Sequence, residues 1–264
     1  MSSTRNLQII SGELLTEYEQ AFSKEILSSA LYSLEDAPLS TKDFNFYMAK
    51  AAVYSGRLEG EQIELDSYVK HKRFHIEFHP DYIRRTDDLY TAYQFASQHK
   101  ADQRNIAKVH ALLASSFVDA HMLGQVRTEN ISVVAANGEV VYQASPYAQV
   151  HAEMQKLYTD LELLLEWELT ITETFYFASM LHLLFVKIHP WQDGNGRTAR
   201  LLEKWFLAQK LGSQAWLVQS ENYYFTARNA YYDGLRKLGS VYQKLQYKNA
   251  LSFLLLLPKS LTAP

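Results

Sequence analysis

The stretch HPWQDGNGRTAR, His189 to Arg200, decides the reading of this chain. It holds a histidine, an acid, a Gly-Asn-Gly turn and two arginines, in a chain with only 10 glycines. Apolar residues at helical spacing flank it on both sides. Upstream, Thr170-Ile171-Thr172-Glu173 reads as a capping box, with Thr170 as N-cap and Glu173 reaching back. The helix it opens carries Phe175, Ala178, His182 and Phe185 on one stripe. It must stop by His189, because Pro190 disfavours helical geometry in the residue before it. Downstream, a helix is expected from Arg197, with Ala199, Leu201, Leu202, Trp205, Phe206 and Ala208 in register and Gly212 as its stop. The quoted stretch is therefore a helix–loop–helix junction.

That placement defines its chemistry. The glycines let the backbone turn tightly and let a ligand approach closely. Asp193-Gly194-Asn195-Gly196 precedes a helix N-terminus, where unpaired N–H groups and the helix dipole favour anions. Arg197 and Arg200 lie on the same side of the first helical turn. Together these form a polyphosphate cradle. Asp193 is suited to hold Mg²⁺ against the phosphates, since Mg²⁺ usually binds through one or two carboxylates plus phosphate oxygens. His189 is the nearby group with a pKa suited to take a proton from an attacking hydroxyl at neutral pH. A bare Gly-Asn-Gly reads as a helix connection with incidental charges. The complete set, in register with the helix boundaries, favours a site. His182, on the apolar stripe, reads as a hydrogen-bonded core histidine.

The rest of the chain is that of a soluble globular protein, with 264 residues, 47% of them hydrophobic and 21% charged. Lys+Arg is 26 against 29 Asp+Glu, a net charge of -3, with no basic excess to favour nucleic acid. The absence of cysteine excludes disulfides, thiolate catalysis and cysteine zinc sites. MSSTRNLQII lacks the apolar core of a signal peptide, and the apolar run Leu254 to Leu257 is too short to span a bilayer, so a cytoplasmic protein without membrane partners is expected.

Helical patterning dominates. Helices are expected over 12–35 (Leu14, Tyr18, Phe22, Leu27, Leu31 and Leu34 in register, before Pro38), over Thr41 to Arg57, from about Asp87 to Gln98, from about Arg104 to Asp119, and from Tyr147 to Trp167. His71, His75 and His79 are spaced to share a helical face. Lys72, Arg73 and Pro80 around them favour a solvated helix end over a metal site. The segment NISVVAANGEVVYQA, residues 130–144, breaks the helical rhythm. Its β-branched runs flank Asn137-Gly138, which supplies the positive φ angles of a two-residue hairpin turn. Asn130-Ile131-Ser132 is formally a glycosylation sequon, set aside for want of a secretion signal.

The junction resembles the signature of the Fic (Fido) family, HPFx(D/E)GNGRxxR, through His189, Pro190, Asp193, Gly194, Asn195, Gly196, Arg197 and Arg200, with Trp191 in place of the usual Phe. Val109-His110 and Gly124-Gln125-Val126-Arg127 resemble the helix and turn that lead into the family's hairpin flap. Tyr231-Tyr232 followed by Leu235 resembles the tyrosine segment near the nucleotide base, with Gly239 where some relatives have Asn. The resemblance implies a mainly α fold, a Fic-type helical bundle with one β-hairpin flap. It divides the chain into an N-terminal helical region (1–103), a Fic core (104–245) and a C-terminal helical tail (246–264).

The resemblance further implies a protein adenylyltransferase that moves AMP from ATP, with Mg²⁺, to a Ser, Thr or Tyr hydroxyl of a target protein docked on the 130–144 hairpin. His189 is then the general base, Asp193 the Mg²⁺ ligand, and Gly194, Asn195, Gly196, Arg197 and Arg200 the phosphate holders, with Tyr231 and Tyr232 near the nucleotide. Related kinases carry lysine at the position of Gly196, so glycine there favours adenylyl transfer. SGRLEG, Ser55 to Gly60, resembles the family's inhibitory motif, (S/T)xxxE(G/N), placed N-terminal to the core as in class II members. In that reading Glu59 pairs with Arg200 and denies it to the γ-phosphate, while Glu61 sits where the family often has Asn. De-AMPylation, another nucleotidyl or phosphoryl transfer, and a non-catalytic nucleotide- and peptide-binding module are the alternatives. Self-modification and a homo-oligomer stay open.

Overall fold

The structure, a computed structural model, describes residues 6–42, 44–134 and 138–262. In chain order its first helices are α1 (Leu15–Ala21), α2 (Lys24–Tyr32), α3 (Phe46–Leu58), α4 (Leu65–Phe74), α5 (Pro80–Gln98) and α6 (Gln103–Leu113). A hairpin of β1 (Ser132–Val134) and β2 (Val140–Gln143) follows, then α7 (Tyr147–Glu166), α8 (Ile171–Ile188) and α9 (Asn195–Leu211). The chain ends in α10 (Ser220–Thr226), α11 (Arg228–Arg236), α12 (Leu251–Leu254) and α13 (Leu256–Thr262). The fold is mainly α with one small antiparallel hairpin, the class expected from the sequence.

Helix α8 is the centre. Its capping box forms as read: the Thr170 hydroxyl accepts the Glu173 N–H at 3.1 Å and the Glu173 carboxylate accepts the Thr170 N–H at 2.7 Å. The helix is apolar on nearly every side rather than along one stripe. By length and composition alone it matches a membrane span, yet almost all of it is buried inside the protein, which is the pattern of a core helix. Helices α1, α2, α7, α9, α12 and α13 pack around it. Buried side chains from Ile10 to Leu257 join in one continuous apolar core. The segment before α1 is pinned by buried Asp160 on α7, whose carboxylate accepts the N–H groups of Gln8, Ile9 and Ile10 at 2.6, 2.8 and 2.8 Å.

Several boundaries differ from the sequence reading, each for a local reason. The helix expected over 12–35 is broken between α1 and α2, because Ser23 leaves helical geometry to accept the Ile26 N–H. Helix α3 starts at Phe46 rather than Thr41, since Asn45 caps it by accepting the Met48 N–H at 2.8 Å. Helix α5 starts at Pro80, whose missing N–H costs nothing at the first helical position, well before Asp87. Helix α6 stops at Leu113, short of Asp119. His71, His75 and His79 share no helical face: α4 ends at Phe74, His75 is its left-handed cap and His79 caps α5. The hairpin strands are short, and a bulge between Val133 and Val134 shifts their register by one residue. Gly138 has φ +84, as the turn requires; Asn137 lies outside the described residues.

Candidate active site

The site forms where the C-terminus of α8 meets the N-terminus of α9, beneath the C-terminus of α3. His189 ends α8 in a left-handed conformation, φ 57° and ψ 60°, one of two non-glycine residues with positive φ among those described. Such a backbone costs about 1–3 kcal/mol and persists only when its surroundings hold it. Arg127 does the holding. Its Nε donates to the His189 carbonyl at 2.7 Å, its backbone N–H donates to the Pro190 carbonyl at 2.9 Å, and its Nη2 reaches the Ile188 and Ser145 carbonyls. Its Nη1 donates to the Glu129 carbonyl at 2.5 Å. One guanidinium thus ties the end of α8 to both flanks of the hairpin.

The His189 ring is fixed through Nδ1, 3.1 Å from the Val186 carbonyl. A carbonyl only accepts, so Nδ1 carries the proton and the Nε2 lone pair is available. Burial, reinforced by the charge of Arg127, pulls the imidazole below its ordinary pKa despite the Val186 bond and the nearby Glu59 and Asp193 charges. The ring is neutral at pH 7, the state of a proton acceptor.

The turn between the helices is held by its own side chains. Asn195 spends both ends of its amide on Trp191: Oδ1 accepts the Trp191 N–H at 2.8 Å and Nδ2 donates to its carbonyl at 2.9 Å. With its side chain engaged, Asn195 offers a ligand its backbone N–H, together with those of Gly196 and Arg197 in the first turn. Trp191 fills the core slot, stacked on His110 with ring centroids 4.6 Å apart. His110 Nδ1 accepts the Gly124 N–H at 2.9 Å, so its Nε2 carries the proton and donates to the Asp193 carbonyl at 3.0 Å. Burial lowers the His110 pKa to about 4. Gly194 has φ +83 and its space is bounded by Leu113 and His110, so glycine is required there twice over.

The two arginines are engaged by the acids that flank Gly60. Arg200, 1% exposed, donates through Nη2 to Glu59 Oε1 at 2.7 Å and to the Ser55 carbonyl at 3.1 Å, and through Nε to Ser55 Oγ at 2.8 Å. Burial alone would raise the Glu59 carboxyl, but Arg200 and Arg197 hold it below the usual carboxylate range. Burial likewise opposes the Arg200 charge, but Glu59 together with Tyr231 and Tyr232 pushes that pKa up. Arg197 lies over the Phe117 ring, 4.4 Å from its centroid, and reaches Glu61 Oε1 at 3.4 Å; the same oxygen accepts from Arg85 at 2.8 Å. Gly60, φ +98, turns the chain so that both acids face the motif arginines. A Cβ on Gly196 would stand 2.5 Å from Glu59 Oε1, so the pair lies directly over that glycine.

Behind Arg200 runs a buried polar chain. The Tyr231 hydroxyl is 3.4 Å from Arg200 Nη1 and 3.0 Å from His182 Nε2; His182 Nδ1 is 2.8 Å from Glu203, which also accepts from Tyr224 at 2.9 Å. His182 is thus the hydrogen-bonded core histidine the stripe implied, and Tyr231 supports Arg200. The Tyr232 hydroxyl donates to the Leu58 carbonyl at 3.1 Å, tying α11 to the end of α3. Glu59, His189, Gly196, Arg200, Tyr231 and Tyr232 line one cleft.

Asp193 is exposed and is not among the residues that line the cleft; its Oδ1 accepts the Gly194 N–H at 2.6 Å. No cluster of three metal-ligating side chains exists among the described residues. A lone carboxylate beside an anion cradle fits Mg²⁺ that arrives with phosphates, and does not fit an all-protein metal cage. The contributions of Arg127, His110, Glu61 and Lys187 join residues far apart in sequence. The one local signal among them was Lys187, a charge inside an apolar helix.

A half-buried, neutral histidine at the end of one helix, beside the N-terminus of the next and its two arginines, thus faces a cleft that the hairpin helps to line. Residues 100–207 match the Fic/DOC family model. Fic domain proteins are in general transferases. No curated protein sequence matches the chain. Among solved structures, a Fic family protein from Desulfovibrio desulfuricans is similar in fold, with TM-score 0.73 and 18% identity over 97% of this chain and 75% of that one. A Fic domain containing signaling protein from Bacteroides thetaiotaomicron has TM-score 0.65 and 20% identity over 90% and 94% of the two chains. Fic-1 from C. elegans has TM-score 0.62 and 17% identity over 94% and 72%.

Proposed function

We propose that this chain is a Mg-ATP-dependent protein adenylyltransferase held in check by Glu59. The observation that carries the reading is the convergence of a neutral, backbone-locked His189 and the Arg200–Glu59 pair on one cleft. In the forward step, His189 Nε2 takes the proton of a target hydroxyl as its oxygen attacks the α-phosphorus of ATP. The bond between that phosphorus and the bridging oxygen to the β-phosphate breaks, and pyrophosphate leaves with the cradle's help. The N–H groups of the first turn of α9, with Arg197 and Arg200, bind the polyphosphate and offset its growing charge. Asp193 would hold Mg²⁺, which would neutralise phosphate charge when bound.

Glu59 opposes this by occupying Arg200 and standing over Gly196, where a γ-phosphate would press into the cradle. Ser55 supports the brake by binding the other edge of the guanidinium, and Gly60 supplies the turn. The target segment docks as an added strand on β1, whose only strand partner among the described residues is β2. Val134 and Val140 stand exposed on that hairpin, ready to be covered.

The test uses ATP labelled at the α or the γ position with the Glu59→Gly protein and a lysate. Adenylyl transfer puts α-label on protein and leaves γ-label in pyrophosphate. Transfer of γ-label instead indicates a kinase, and no transfer with retained ATP binding indicates a binding module.

A further inference from the structure

Lys187 is a buried cation that the proposed transfer step does not use. It sits on α8 two residues before His189 and is only 3% exposed. A lysine that deep is ordinarily paired with an acid. Among the other buried cations, Lys204 has Glu221, Arg200 has Glu59 and Arg197 has Glu61, while Arg127 is satisfied by the carbonyls of His189, Glu129, Ser145 and Ile188. Lys187 has no carboxylate partner among the described residues. Its Nζ donates to the Leu235 carbonyl at 2.9 Å and lies 4.1 Å from the centroid of the Tyr142 ring. An ammonium carries three donors, so hydrogens remain. Burial alone pulls its pKa down to about 8, the mark of a charge poorly compensated by its surroundings.

Lys187, Leu235 and Tyr142 all line the cleft that holds His189 and Arg200. Arg200 reaches Tyr231 on α11, and Lys187 reaches Leu235 four residues further along the same helix. Both contacts are therefore made to α11, one through the Tyr231 hydroxyl and one through the Leu235 carbonyl. Beside Arg236, the cleft lining includes the apolar or aromatic side chains of Val133, Val141, Tyr142, Val186 and Leu235, faces against which a flat heteroaromatic ring packs.

We propose that Lys187, together with the Leu235 carbonyl, reads the edge of the nucleobase and sets base preference. The inference rests on the cleft being a nucleotide site. The ammonium donates to a ring nitrogen while the second lone pair of the Leu235 carbonyl accepts from the neighbouring exocyclic amino group. Adenine presents that pairing of acceptor and donor on adjacent atoms. The backbone carbonyl and the ammonium are 2.9 Å apart, so both can meet one base edge. Lys187 acts here in binding and specificity, and it moves no proton in the transfer.

The experiment measures binding of ATP, GTP, UTP and inorganic tripolyphosphate by calorimetry in the Glu59→Gly protein, with and without Lys187→Met. Methionine keeps the length of the stem and removes the donor. Loss of at least tenfold in ATP affinity, narrowing of the preference for ATP over UTP, and tripolyphosphate binding within twofold of the parent support the inference. Lys187→Arg, which keeps a donor, should retain more of the preference than Lys187→Met. Equal weakening of ATP and tripolyphosphate, or an unchanged base preference, overturns it. If the parent protein binds neither ATP nor tripolyphosphate, the nucleotide reading itself fails and takes this inference with it.

Discussion

Glu59 and Arg200 meet at 2.7 Å although they stand 141 residues apart in the chain. The arginine is inside the protein, while the glutamate keeps 31% of its side-chain surface open toward the cleft. The partner that can leave is therefore the acid. Arg200 stays anchored by Ser55 and Tyr231 whether or not Glu59 is present.

Glu59→Gly should destabilise the protein only modestly. Removing one partner of a fully buried pair costs about 3–5 kcal/mol, but partial exposure and the remaining Arg200 bonds reduce the expected loss to about 1–2 kcal/mol. Urea unfolding checks this. ATP should then raise the melting temperature of the variant more than that of the wild type. A loss well above 3 kcal/mol would make Glu59 chiefly a structural residue.

The pH response separates the brake from the base. The folded Glu59 carboxyl lies below its ordinary value, so the pair is fully present above the usual carboxylate range and is lost only as pH falls through the lowered value. Wild type should stay inhibited from pH 8 to about 5.5. His189 is also lowered, by burial first, and the Glu59 charge works against that shift. Transfer by Glu59→Gly should be flat from about pH 7 to 8.5 and fall only below the ordinary imidazole range. Activation of the wild type between pH 7 and 5.5 contradicts this account.

His110 links stability to acid. It is fully buried, and its pKa falls from 6.5 unfolded to about 4 folded. The neutral ring's contribution is whole above pH 6.5 and is lost progressively as pH falls toward about 4, because only the unfolded chain gains a proton in that window. The shift corresponds to about 3 kcal/mol. Unfolding free energies at pH 7 and 4.5 should show a drop that His110→Gln lessens; an equal drop in both proteins rules the linkage out.

Arg127→Lys should lower kcat by about 10- to 100-fold in the Glu59→Gly background, with KM for ATP changed little. Lysine cannot reproduce the fork that meets the carbonyls of His189, Ile188, Ser145 and Glu129 at once. An unchanged kcat shows that the His189 backbone holds without the fork.

Local features were legible in the sequence and distant ones were not. The Thr170–Glu173 capping box, the end of α8 before Pro190 and the Gly212 stop each depend on a few consecutive residues. The break between α1 and α2 escaped notice because apolar periodicity runs through Phe22, and only the Ser23 cap interrupts it. The early start of α5 was hidden by polar residues in its first turns. In the site, His189, Asp193 and both arginines lie within one stretch, so their proximity at the junction of α8 and α9 could be read directly. The hold of the Asn195 side chain on Trp191, four residues back around the turn, was not legible, because the sequence does not draw that turn. Glu59 came into view only through a resemblance, and the Arg127 fork and the Glu61 bridge needed the tertiary fold.

The central claim is that Glu59 restrains an adenylyltransferase whose base is His189. The direct measurement is protein labelling from α-labelled ATP by wild type, Glu59→Gly and Glu59→Gly/His189→Ala under identical conditions. The account predicts at least about 10-fold more label with Glu59→Gly than with wild type, a difference of roughly 1.4 kcal/mol in barrier, and a return to background in the double variant. Equal labelling by wild type and Glu59→Gly, or undiminished labelling without His189, would contradict it.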